Sequence, residues 1–102
     1  MDKIVTLNVG GQLFTTAKST LITKSEYFAN LLSNKFGSVL TDHQGHVFVD
    51  RDPTYFAVIL NALRTNILDP RNLNEEILTQ ELIYYGINFG VNENNEQKKK
   101  KN

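Results

Sequence analysis

The stretch His46–Thr65, HVFVDRDPTYFAVILNALRT, limits the possible folds more than any other part of the chain. Val47, Phe48 and Val49 are a short β-branched and aromatic run of the kind that fits a pleated, half-buried surface. Three consecutive charges, Asp50, Arg51 and Asp52, follow, and then Pro53. Asp52 suits an N-cap and Pro53 the first helical position, where the missing N–H would have had no intrahelical partner. Beyond it Phe56, Ile59, Leu60 and Leu63 recur at i, i+3, i+4 and i+7, the stripe of a helix buried along one side. A strand therefore runs directly into a core helix, with a charge cluster at the joint. That cluster is either a solvated turn or a device for meeting another surface.

The segments before the joint supply a hairpin and two helices. IVTLNV (residues 4–9) alternates, with Val5, Leu7 and Val9 on one face and Thr6 and Asn8 on the other. Gly10-Gly11 tolerates the positive φ of a two-residue turn, and QLFTT reads as the returning strand. Neither a GxxxxGK[ST] pattern nor an immediately following helix supports a phosphate loop there. A short helix is expected from Ala17 to Thr23 with Leu21 and Ile22 inward, and a second over SEYFANLLSN capped by Ser25. Asn34–Ser38 breaks that helix, Val39-Leu40 is a candidate short strand, and Asp42–Gly45 has turn chemistry. After the central helix, Asn66–Asn72 is a loop. Asn74 then caps a last helix whose inner side is Ile77, Leu78, Leu82 and Tyr85, and Gly86 is a suitable stop.

Composition bounds the function. The 102 residues make one domain, expected over residues 1–90, followed by a disordered, polar, Lys-rich tail over 91–102. The net charge of zero is misleading: four of the 11 basic residues are Lys98–Lys101, which leaves 7 basic against 11 acidic, a net of −4, over residues 1–97. A mildly acidic domain is a poor candidate for specific nucleic-acid binding. The absence of cysteine excludes disulfides, thiolate zinc sites and thiol nucleophiles, and agrees with a cytoplasmic protein. No run approaches the roughly 20 apolar residues of a membrane span, and no signal-peptide core opens the chain.

No active site can be assembled from these residues. His43 and His46 share one turn, and with Asp42 they fall short of the four ligands of a structural zinc site. Asp50 and Asp52 flank an arginine, and Asp52 is engaged as a cap, so they do not read as an acid/base pair. No enzyme activity, cofactor or metal is expected; the chain reads as a binding or assembly module.

Two stretches, LNVGGQLFTT and FVDRDPTYFAVILNALRT, resemble the BTB/POZ domain of the potassium-channel-tetramerisation type, closest to its soluble KCTD-like branch. The likeness extends to STL at Ser19–Leu21, FANLLS at Phe28–Ser33, KFGS at Lys35–Ser38 and ELIYYGI at Glu81–Ile87, so it spans about residues 3–88, nearly all of the chain expected to be ordered. It implies an α/β (α+β) fold, a small mixed sheet with an N-terminal hairpin flanked by a cluster of about five helices. It also implies self-assembly into tetrameric or pentameric rings and, for many soluble members, service as a cullin-RING ubiquitin ligase adaptor.

Family rings close through largely polar faces, which points to Asp50, Arg51, Asp52 and Arg64 as oligomer-interface residues, Arg51 having the alternative of holding its own turn. Cullin docking in the family falls on the loop after the second helix and on the C-terminal helices, which points to Phe36 and Tyr84. The lack of cysteine excludes the zinc-held channel classes. Adaptors commonly carry a substrate domain, and only a polar tail follows here. The alternatives are a cytoplasmic assembly domain of a potassium channel and a regulator that forms mixed rings with longer BTB proteins.

Overall fold

The structure is a computed structural model that describes residues 2–33 and 39–88. Strands β1 (Ile4–Val9) and β2 (Gln12–Ala17) pair antiparallel, Leu7 opposite Phe14 and Val9 opposite Gln12. β3 (Val47–Val49) lies on the other side of β1 and runs parallel to it, Asn8 opposite Phe48, giving a mixed sheet of order β2-β1-β3. The expected small mixed sheet with an N-terminal hairpin is therefore present.

Four helices lie among the described residues: α1 (Lys18–Ile22), α2 (Glu26–Leu31), α3 (Pro53–Thr65) and α4 (Glu75–Tyr84). The polar caps act as anticipated. Ser25 Oγ accepts from Phe28 N at 3.1 Å, Asp52 Oδ1 from Thr54 N at 2.8 Å and Asn74 Oδ1 from Ile77 N at 2.9 Å. Each satisfies an amide that has no partner within its helix. Ser25 is buried as well, and its hydroxyl donates to the Tyr85 carbonyl at 2.7 Å, tying the start of α2 to the end of α4.

The core sits between the inner face of the sheet and the helices. Leu7, Val9 and Val49 pack with Leu21, Phe28, Phe56, Ile59, Leu60, Leu63, Leu78 and Tyr85. The whole expected stripe of α3 is buried, and Val58 and Ala62 join it, so this helix is enclosed on most sides. Aromatic rings carry the centre: Phe28 stacks on Tyr85 at 5.4 Å and Phe14 meets Phe56 edge-on at 5.0 Å. Such pairs add roughly 0.5–1.5 kcal/mol each beyond area burial.

Three expectations need correction. α2 ends at Leu31, because Leu32 already departs from helical geometry at φ −90°, ψ 2°. Val39-Leu40 forms no strand, although Phe48 N donates to Leu40 O at 2.9 Å and Thr41 bridges Val47. Ile22 and Ile77, placed inward from sequence, are 37% and 46% exposed. The inward stripe of α4 and its C-cap is instead Leu78, Glu81, half-buried Leu82 and Tyr85, which keeps the i, i+3, i+4, i+7 spacing but has a carboxylate in one of its positions. A glutamate inside was not readable without its partner, which lies thirty residues away.

Candidate protein-interaction surface

The charged joint is held from two sides, by the hairpin and by α4. Val49 O accepts both Gly10 N and Arg51 N, each at 2.9 Å, so the hairpin turn is seated on the turn that ends β3. Gly10 makes this contact possible: a Cβ there would stand 2.4 Å from Arg51 O and 3.0 Å from Pro53 Cδ. Opposite the hairpin, Arg51 reaches α4. Its Nε donates to Glu81 Oε1 at 3.2 Å and its Nη2 to Glu81 Oε2 at 2.5 Å, a two-point contact with a carboxylate whose side chain is only 9% exposed. The guanidinium also lies 4.0 Å from the centre of the Tyr84 ring, and the Glu81 carboxylate raises the Arg51 pKa above its ordinary value. Arg51 thus ties the joint to α4 within the chain.

The other candidates are dispersed. Asp50 is exposed and has no partner among the described residues; Asp52 is exposed with its carboxylate engaged as the cap of α3. Arg64, near the far end of α3, donates from Nη2 to Thr15 O at 2.9 Å. It thereby covers part of the free edge of β2, an edge otherwise open to pairing with another strand. Tyr84 is 40% exposed, and its ring packs against Tyr27 at 5.0 Å and Tyr85 at 5.1 Å. Burial raises the pKa of both Tyr27 and Tyr85. Phe36 and residues 91–102 lie outside the described residues. Near the joint, Asp42 accepts from Asn8 Nδ2 at 2.8 Å, from the amides of Gln44 and His46 at 2.9 Å each, and contacts His46 Nδ1 at 3.1 Å. The Asn8 bond is the main cause that holds this carboxyl well below its usual range.

A second surface was missed from sequence. The strands alternate, so the face opposite the core carries three rows: Ile4 beside Ala17, Thr6 beside Thr15, and Phe48–Asn8–Leu13. Ile4 is 72% and Leu13 50% exposed, and Thr6 and Thr15 hydroxyls bond each other at 2.9 Å. A mixed polar and apolar sheet face left largely uncovered by the described residues is suited to docking another protein. The available signal was an apolar residue in the outward register of each strand, at Ile4, Leu13 and Phe48.

A family model described as BTB/POZ domain matches residues 5–94. SH3KBP1-binding protein 1 of Bos taurus is 45% identical over 86 residues, which are 83% of this chain and 12% of that protein. BTB/POZ domain-containing protein KCTD3 of Homo sapiens is 46% identical over 86 residues, 83% of this chain and 10% of its own length. BTB/POZ domain-containing protein KCTD21 of Mus musculus is 37% identical over 89 residues, 85% of this chain and 34% of its own length. The chain thus spans a tenth to a third of the length of these relatives.

Proposed function

The chain belongs to the BTB/POZ family, in its potassium-channel-tetramerisation branch, and on that premise we propose that its copies close into a ring of about four or five subunits that serves as a cullin-RING ubiquitin ligase adaptor. BTB domains are protein-interaction domains, and no helix among the described residues is long and apolar enough to cross a membrane. The observation that carries the ring is the uncovered sheet face, with Ile4 and Leu13 half or more exposed beside polar rungs. A closed ring needs two different faces in contact. The sheet face supplies one; the joint, with exposed Asp50 and Asp52, and the Arg64 edge supply the charges of the other. Arg51 contributes by holding the joint in shape, and a cytoplasmic setting goes with the adaptor role.

Light scattering at micromolar concentration tests assembly. The wild-type mass should correspond to a tetramer or pentamer, and Leu13→Asp should give monomers with nearly unchanged melting, since Leu13 is half exposed already. A wild-type monomer at high concentration refutes the ring. Capture of a purified cullin N-terminal domain tests the adaptor role, with Phe36→Ala and Tyr84→Ala expected to abolish capture while leaving ring size unchanged. If the wild-type chain captures no cullin, the adaptor role fails and the assembly role stands alone. One observation favours mixed rings as a second reading: identity of 45–46% extends over 83% of the chain in far longer proteins. Co-purification with a longer relative would establish it.

A further inference from the structure

One end of the sheet's inner face is not filled by the core among the described residues. Val5, Val47, Val39, Leu31 and Leu32 line a cavity of about 180 Å³, with Lys3 and Lys18 completing its wall. Just beyond the last rung, where Ile4 lies opposite Ala17, Lys18 opens α1 and its N–H donates to Lys3 O at 2.7 Å, which brings the two lysines together. Like charges brought close repel, and neither ammonium has an ion-pair partner among the described residues. The adjacent Asp2 carboxylate is engaged elsewhere and makes no ion pair with either of them. Asp2 accepts from Ser19 Oγ at 2.6 Å, from Ser19 N at 3.2 Å and from Lys3 N at 2.9 Å, contacts among which the Ser19 hydroxyl does most to hold its pKa down.

An apolar recess beside two lysines with no ion-pair partner among the described residues selects a ligand that is apolar at its centre and anionic at its edges. Whole small-molecule ligands occupy pockets of roughly 300–1,000 Å³; a 180 Å³ recess suits one branched side chain. We propose that this groove docks a short acidic segment of a partner protein. One leucine-sized side chain enters between Leu31, Leu32 and Val47, and carboxylates on the residues flanking it meet Lys3 and Lys18. The inference is independent of ring assembly and of cullin binding.

The test is an amide chemical-shift titration of the full chain with a capped nonapeptide carrying Glu-Leu-Glu in a Gly-Ser background. Shifts should centre on Val5, Leu31, Leu32, Val39 and Val47. Affinity should fall about fivefold or more in the Lys3→Gln, Lys18→Gln double variant, in a Gln-Leu-Gln peptide and at high salt. Replacing the peptide leucine by glycine should abolish the shifts. The absence of shifts at millimolar peptide, shifts centred elsewhere, or full affinity in the double variant overturns the proposal. Binding seen only after Phe36→Ser would make residues 34–38 of this chain the occupant, and saturable binding of sodium laurate with no response to the peptide would make the groove a lipid site; either result also overturns it.

Discussion

Gly10→Asn separates turn chemistry from tertiary packing more sharply than any other single substitution in this protein. Gly10 and Gly11 have φ of 58° and 103°, and two consecutive positive values are what a type I′ hairpin turn needs. Asn-Gly is the favoured sequence for that turn, and asparagine enters the left-handed region at little cost. Local chemistry alone therefore predicts that Gly10→Asn is neutral or mildly stabilising. The tertiary structure predicts the opposite. The new Cβ would lie 2.4 Å from the Arg51 carbonyl oxygen, a backbone atom fixed between β3 and α3, and 3.0 Å from Pro53 Cδ. The hairpin must lift away from the joint, and the 2.9 Å bond from Gly10 N to Val49 O is lengthened or lost. Overpacking costs about 1–3 kcal/mol and the hydrogen bond about 1 kcal/mol, so the expected loss is about 3 kcal/mol. For a domain of this size that lowers Tm by on the order of 10–20 °C. Gly11→Asn is the control, because a Cβ there meets nothing within 4 Å. Urea unfolding followed by circular dichroism measures both. A Gly10→Asn protein as stable as wild type would refute the close approach of hairpin and joint.

Three further outcomes follow from the side chains around the joint. Arg51→Ala leaves the Glu81 carboxylate buried without its partner and should cost about 3 kcal/mol in urea melts, whereas Arg51→Met combined with Glu81→Leu should recover most of the loss; an uncorrected double variant would argue against the buried pair as the cause. Asp42 has a folded pKa below its unfolded value near 3.9, so its contribution is present above that pH and is lost as pH falls through the folded value. Asp42→Asn should therefore destabilise at neutral pH and flatten the decline of Tm below about pH 4; an unchanged acid slope counts against the Asn8–Asp42–His46 cluster. The Tyr85 hydroxyl is buried with no hydrogen-bond partner among the described residues, so Tyr85→Phe should be neutral or stabilise by about 1 kcal/mol in the same melts, and a clear loss would reveal a partner for that hydroxyl.

Signals confined to a few neighbouring residues were enough for much of this fold. The alternation of IVTLNV, the glycine pair, the caps at Ser25, Asp52 and Asn74, and the α3 stripe each depend on interactions within one turn or one hairpin, and each stands in the structure as read. The motifs in order also identified the family, because spacing along the chain survives without coordinates. Pairings between distant segments were another matter. Arg51 and Glu81 are thirty residues apart, and their ion pair turns α4 so that a carboxylate is buried while Ile77 faces out. That Arg51 has a partner within the chain was therefore not readable from its own surroundings. The same holds for the outer sheet face and for the paired lysines at the groove. Ile4, Leu13 and Phe48 become one surface only through strand register, and Lys3 and Lys18 become neighbours only through the backbone bond just beyond it, both set by which segments meet across the sheet. Local hydrogen bonding and periodicity determine the elements; long-range register and burial decide which side chains are left for another molecule.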